Sequence, residues 1–325
     1  FLAHILYPQL YSFLIGSFEI LAFLVLFSCV VFFIRRNIIK IKRFWSKEMT
    51  TWPKTDANLI LIFEIFLMTA FIVMNCSDQI LQERGVDHYI IAGSFPISSF
   101  FVPLFDSFSS TNLIIIERFT WWFHILGILA FLNYVLISKH LHIFFAFPST
   151  YYANIEKLGK FDNLKSVTNE VKLMLDPNAD PFAVPQNQDQ KPVSLFGARD
   201  ATDLNWVQLL NAYSCTECGR CSSVCPANQT GKELSPRKIM MDTRDRIEEI
   251  GRLKENNTNY LLGNYISKEE LWACTTCNAC TDACPINLDP LSIIVDLRRY
   301  LVMEESAAPT ELNNMFSNVE NNGAP

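Results

Sequence analysis

Cys215-Thr-Glu-Cys218-Gly-Arg-Cys221-Ser-Ser-Val-Cys225-Pro226 and Cys274-Thr-Thr-Cys277-Asn-Ala-Cys280-Thr-Asp-Ala-Cys284-Pro285 decide how this chain is read. Both stretches are C-x2-C-x2-C-x3-C-P, the ligand run of bacterial-type [4Fe–4S] clusters. A cubane presents four irons, each of which takes one thiolate. Three cysteines at two-residue intervals wrap three corners, and the longer step with its proline sends the fourth to the other cluster. One cluster is therefore expected on Cys215, Cys218, Cys221 and Cys284, the other on Cys274, Cys277, Cys280 and Cys225. Zinc is the alternative, because paired C-x2-C units also build zinc sites. Four ligands per zinc ion account neither for the third cysteine nor for the proline after the fourth.

Outward from the cysteines the composition changes character. A length of 325 residues suggests two domains. Half the residues are hydrophobic and 26 are Phe, far more apolar than a soluble cluster protein needs. The net charge of −6 gives no electrostatic case for nucleic acid. Eight of the ten cysteines lie in the two motifs; Cys29 and Cys76 sit in apolar runs and read as small packing residues. Thiols kept as cluster ligands imply a reducing compartment. The sequence starts at Phe1 without a charged segment and cleavage site, so processing or cropping is expected rather than a signal peptide.

Residues 11–34, 57–76 and 119–138 are apolar, broken only by Glu19, Glu64 and His124. Each is long enough to cross a bilayer as a helix. Burial in a soluble core is the bland alternative, which three such runs within the first 140 residues disfavour. Residues 90–104 are shorter and interrupted by Pro96 and Pro103, which reads as interfacial or re-entrant. Arg35, Arg36, Lys40, Lys42, Arg43, Lys47 and Lys54 fill the first connection, whereas Asp78, Glu83, Asp87 and Asp106 mark the second. The positive-inside rule puts the first connection and the cysteine region in the cytoplasm, in a multi-pass protein of the inner cell membrane. Glu117-Arg118 beside Trp121 and Trp122 reads as an anchor at the outer interface.

The expected architecture is all-α. Residues 1–150 form a membrane helix bundle with spans at about 11–34, 57–76 and 113–142. Residues 151–205 supply an amphipathic helix and a proline-bearing linker. Residues 206–306 form a helical two-cluster domain, and 307–325 a tail without functional signal. Within the second half, helices are expected at 203–213, at 236–254 after Ser235-Pro236, and at 290–305 after Asp289-Pro290.

His124 and His142 are 18 residues apart, five full turns of one helix, so both would project from one face about 27 Å apart. That spacing suits two b haems near opposite membrane surfaces, with His140 facing elsewhere. A histidine that merely hydrogen-bonds a neighbouring helix is the alternative. Glu19 and Glu64 are acids inside spans, candidates for proton handling at a quinone site or for neutralisation by a structural partner.

His124-Ile-Leu-Gly followed by Ser138-Lys-His-Leu-His142 resembles the last haem-bearing helix of the nitrate reductase gamma-subunit type cytochrome b. Cys218-Gly-Arg-Cys221, Ser235-Pro-Arg-Lys-Ile239 and Cys284-Pro-x-x-x-Asp289-Pro-Leu are similar to the helical ferredoxin of the heterodisulfide reductase C and D families. Their fusion, covering about residues 10–308, resembles the membrane-bound heterodisulfide reductase-like iron–sulfur proteins of bacteria. The resemblance implies an electron-transfer subunit between the quinone pool, b haems, two [4Fe–4S] clusters and a soluble cysteine-rich (CCG-type) or flavin-bearing partner. It also implies a second haem imidazole from a helix upstream, because the spans at 11 and 57 hold none; His4 stays unassigned. The chain has no Cys-Cys pair and no G-x-G, so the catalytic step is expected on another polypeptide. The competing hypothesis is a haem-free membrane anchor that docks a soluble dehydrogenase.

Overall fold

The computed structural model describes residues 8–156, 159–177, 195–254 and 258–325. It divides the chain into two compact units, Phe1–Leu141 and His142–Pro325, a boundary nine residues before the expected one at 150. The described residues are helical, with no strand beyond an isolated bridge between Leu262 and Ile266.

The first unit is built from α1 (Pro8–Asn37), α2 (Thr51–Glu83) and α3 (Ser110–Val135). All three are long and apolar enough to cross a membrane. Their large side chains point outward: Phe13 is 69 % exposed and Phe119 67 %. Water would punish such a surface; hydrocarbon does not, and a helix satisfies its own backbone there. Between helices the packing is close. A Cβ at Gly127 of α3 would come within 2.6 Å of Leu67 Cδ2 of α2, so a small residue is needed at this crossing. Phe63 and Phe131 stack one helical layer away, with ring centroids 5.3 Å apart.

Helices that are apolar all round have no preferred inward face, so polar pins set their rotation. The carboxylate of Glu19, fully buried, accepts from Asn75 Nδ2 at 3.0 Å, from the N–H of Ile97 at 2.9 Å, from the N–H of Ser98 at 3.2 Å and from the Ser98 hydroxyl. These bonds fold residues 90–104 into short turns, Ser98–Phe100 and Val102–Phe105, rather than a fourth long helix. Asn37 and Asn58 pair their amides reciprocally at 3.0 Å.

The third span does not run to 142 as the sequence suggested. Buried Asp56 of α2 accepts from Tyr134 Oη at 2.5 Å, Ser138 Oγ at 2.7 Å and the N–H of Lys139 at 3.0 Å. That carboxylate takes donors the helix would otherwise have used or left in hydrocarbon, and the helix stops at Val135. A single turn, Lys139–Leu141, follows before the next unit begins.

The second unit contains α4 (His142–Tyr151), α5 (Lys165–Leu175), α6 (Trp206–Ser214), α7 (Pro236–Leu253), α8 (Pro290–Met303) and α9 (Thr310–Asn322). Their starts follow local chemistry. Ser235 and Asp289 cap α7 and α8 with proline at the next position, and Asn205 and Gln208 close a capping box on α6. Residues 178–194, most of the expected linker, lie outside the described residues. The tail, which carries no functional signal in its sequence, includes α9. The core joins Ile239 of α7 to Leu261, Ile266, Ile293, Leu297 and Leu301, all completely buried. Through it runs a buried ion pair: Arg246 Nε and Nη2 donate to the two oxygens of Asp200 at 2.7 and 2.6 Å. Asp200 also accepts the N–H groups of Ala201 and Leu261 at 2.8 and 3.0 Å.

Candidate functional site

The two cysteine runs fold alike. Glu217 and Thr276, each just before a second cysteine, have φ of 57° and 54°; Gly219 and Asn278, just after it, have φ of 73° and 60°. Non-glycine residues seldom adopt this left-handed region, so its recurrence at matching positions marks a loop shaped for a purpose. Each loop leads into a short helix, Arg220–Val224 or Ala279–Asp282, and these two helices pack on one another. The first loop is held from behind by charges: Arg244 Nη2 lies 2.6 Å from Glu217 Oε1, and wholly buried Arg237 donates to the Glu217 carbonyl at 3.3 Å. The second is held by Arg298, which donates to the carbonyl of Cys274 at 2.6 Å and lies over the Trp272 ring. Asp289 ties the Ala279–Asp282 helix to α8, accepting from Thr281 Oγ1 at 3.1 Å and from the N–H of Leu291 at 3.0 Å.

The cysteines surround two cavities. The first, about 200 Å³, is lined by Cys215, Cys218, Cys221 and Cys284, with Cys280 also on its wall. The second, smaller, is lined by Cys225, Cys274, Cys277 and Cys280. Each therefore receives one final-position cysteine from the other motif. Among the described residues no three metal-binding side chains converge as around a single ion. In the first cavity the thiols stand about a volume rather than a point, which fits a polynuclear cluster; in the second, about 10 Å³, four thiols come together around a much tighter space.

Burial is the leading influence on four of these thiols, Cys215, Cys221, Cys274 and Cys280. It pushes Cys215, Cys221 and Cys280 up to about 12, with Cys221 raised further by Cys218 and by Cys280 of the other motif. Burial also raises Cys274, against which the N–H of Thr276, 3.4 Å from its Sγ, works in the opposite direction. Thiols held neutral in this way ionise when metal cations supply the compensating charge. Cys277, by contrast, is exposed.

The histidines are not on one helix, which corrects the register argument. His124 is on α3, whereas His142 heads α4 in the second unit and lines the first cysteine cavity with Ala146. His140 lies in the intervening turn, 5.4 Å from the Phe131 ring. Nδ1 of His124 is 3.0 Å from the carbonyl oxygen of Leu67, and its ring is 5.7 Å from Phe71. A carbonyl only accepts, so Nδ1 donates in this hydrogen bond and Nε2 is the ring nitrogen left outside it. His4 lies outside the described residues. Glu19 is occupied by the pins already described, and Glu64 is half-buried on α2. The roles of Arg237, Arg244 and Arg298 were not anticipated; only the run of basic residues behind each motif hinted at them.

Residues 211–288 match the family model described as a 4Fe-4S dicluster domain. This chain carries a helical 4Fe–4S domain. The Bacillus subtilis protein named Probable iron-sulfur-binding oxidoreductase FadF is 29 % identical over 342 residues, 94 % of this chain and 44 % of its own length. The EtfAB:quinone oxidoreductase of Syntrophomonas wolfei is 26 % identical over 94 % of this chain and 43 % of its own length. The C component of the Ferredoxin/F(420)H(2)-dependent CoB-CoM heterodisulfide reductase of Methanosarcina acetivorans is 34 % identical over 101 residues, 31 % of this chain and 52 % of its own length. The chain thus spans under half the length of the first two relatives. No solved structure matches it. Together the dicluster domain and these iron–sulfur relatives support an electron-transfer role.

Proposed function

We propose that this chain is a membrane-anchored electron relay between the quinone pool and a soluble redox partner, with its cysteine domain on the cytoplasmic side of the inner membrane. The observation that carries this reading is the pair of cysteine cavities, each walled by both motifs. Cys215, Cys218, Cys221 and Cys284 would hold one [4Fe–4S] cluster, and Cys274, Cys277, Cys280 and Cys225 the other. Such clusters supply one-electron carriage. The protein's own part is to exclude water with Leu234, Met240, Leu288 and Leu291, and to brace the loops with Arg237, Arg244 and Arg298. His124 would hold a b haem through Nε2, its ring fixed by the Leu67 carbonyl. His142, which lines the first cysteine cavity, is the second haem candidate. Glu64 and Glu19 are the candidate acids for proton transfer at the quinone. The partner would be a cysteine-rich or flavin-bearing protein, because the sequence offers neither adjacent cysteines nor a phosphate-cradling glycine loop.

The hydrogen bond from His124 to Leu67 also favours a second reading, a haem-free anchor in which that histidine only joins two helices. Iron, acid-labile sulfide and pyridine haemochrome assays on the purified protein with its upstream helix included separate the readings. The relay requires sulfide and a b-type spectrum together. Sulfide without haem leaves the anchor, and absence of acid-labile sulfide defeats both.

A further inference from the structure

The connection between α1 and α2 carries seven basic residues and one acid, Glu48, between positions 35 and 54. Two aromatic rings gather four of these cations. Arg36 and Arg43 lie over Phe44, each 5.1 Å from its centroid. Lys40 and Lys54 lie over Trp45 at 5.2 and 4.4 Å. The cradle is tied to both helices: Trp45 Nε1 donates to the Arg36 carbonyl at 3.0 Å, and Arg36 Nη2 to the Pro53 carbonyl at 3.4 Å.

A ring face attracts a cation without neutralising it. With one acid against seven bases, the turn keeps a net positive field and its cations repel one another, a cost that an incoming anion lowers. Lipid-facing features adjoin them. Ile38 and Ile39 are 71 % and 63 % exposed, and Trp52 is exposed beside Lys54 at the start of α2. Cations, tryptophans and exposed isoleucines at the end of a membrane-length helix match the boundary where headgroups meet acyl chains.

We propose that this turn is a binding site for the phosphodiester headgroup of an anionic phospholipid. The headgroup phosphate sits among Arg36, Lys40, Arg43 and Lys54, and the acyl chains lie against Ile38 and Ile39. Each ring holds its own pair of cations, and the two rings are neighbours in sequence, which distinguishes the site from a diffuse positive field.

The test uses the full chain, delipidated in detergent, with lipid adducts counted by native mass spectrometry and thermal unfolding followed in parallel. Phosphatidylglycerol should bind and raise the unfolding temperature, while phosphatidylcholine and inorganic phosphate at equal concentration should not. K42Q/K47Q removes two cations of the same turn away from the rings and should weaken phosphatidylglycerol binding by no more than the about 25-fold of a general surface charge, at about fivefold per cation. K40Q/K54Q removes the same charge from the ring and should weaken it at least about tenfold more than K42Q/K47Q does. Unchanged unfolding of both variants in phosphatidylcholine shows that they are folded. Equal losses in the two variants would overturn the built site, equal stabilisation by inorganic phosphate would overturn the lipid assignment, and no response to phosphatidylglycerol would overturn both.

Discussion

Replacing Cys225 with Ser should empty the cavity of the other motif. Cys225 follows Cys221 by four residues, yet it lines the cleft of Cys274, Cys277 and Cys280. Cys221 lines the first cavity with Cys215 and Cys218. A serine hydroxyl keeps its proton near neutral pH and is a poor substitute for thiolate. Two cubanes hold about eight irons, so Cys225→Ser should retain about four. The assay is iron and acid-labile sulfide per chain, and double variants supply the assignment without any spectral labelling. Cys225→Ser with Cys274→Ser removes two walls of one cavity and should again retain about four irons. Cys225→Ser with Cys215→Ser removes one wall from each and should retain almost none. Cys284→Ser should behave in mirror fashion, adding nothing to Cys215→Ser and everything to Cys274→Ser. If Cys225→Ser instead pairs silently with Cys215→Ser, each motif holds its own cluster and the crossed arrangement is wrong.

Arg246→Ala strands Asp200 as a carboxylate whose side chain is only 12 % exposed, and should cost about 3–5 kcal/mol in urea unfolding of the cluster-loaded chain. Burial alone would raise the Asp200 carboxyl, but Arg246 and the Ala201 and Leu261 N–H groups outweigh it and hold it below its usual 3.8. A depressed carboxyl contributes stability above pH 3.8 that is lost only as pH falls through the lowered value, below the range in which acid-labile clusters survive, so the difference between wild type and Arg246→Ala should stay constant between about pH 6 and 8; a difference that shrinks within that range would contradict this. Glu19→Ala leaves three N–H donors without an acceptor in an apolar unit and should cost about 3 kcal/mol or more. Protease cleavage within residues 90–104 in detergent should rise with it, and wild-type resistance would show that the carboxylate does not pin that segment.

What the sequence reveals well is what local spacing controls. Cysteine intervals, Ser235-Pro236, Asp289-Pro290 and the lengths of the apolar runs led directly to the cavities, the starts of α7 and α8, and the three long helices. The end of α3 was hidden because Leu136, Ile137, Leu141, Ile143 and Phe144 continue the apolar run beyond it. The residue that stops the helix, Asp56, lies 82 positions before its partner Ser138, and no periodicity carries that information. The histidine register failed for the same reason, since it assumed one unbroken helix. Glu19 could be read only as an acid in need of company; Asn75 and Ser98 became its company through folding. Arg298 looks like an ordinary surface cation until α8 packs it behind Cys274.

Because each cysteine cavity takes a wall from both motifs, 48 residues of intervening chain separate its parts in time as well as in sequence. On the ribosome the first motif emerges with three of its four cluster walls and must wait, its thiols open to oxidation and to stray metal ions. Cys284 completes it only after the whole second motif has been made. Leu297 and Leu301, which close the core, arrive later still. Cofactor loading is thereby deferred until the domain is complete, and a chain broken off early would be left without either finished cavity rather than carrying one usable centre. With clusters held as proposed, the interlaced walls would act as a proofreading step on synthesis, leaving iron and sulfide a complete site only in finished domains.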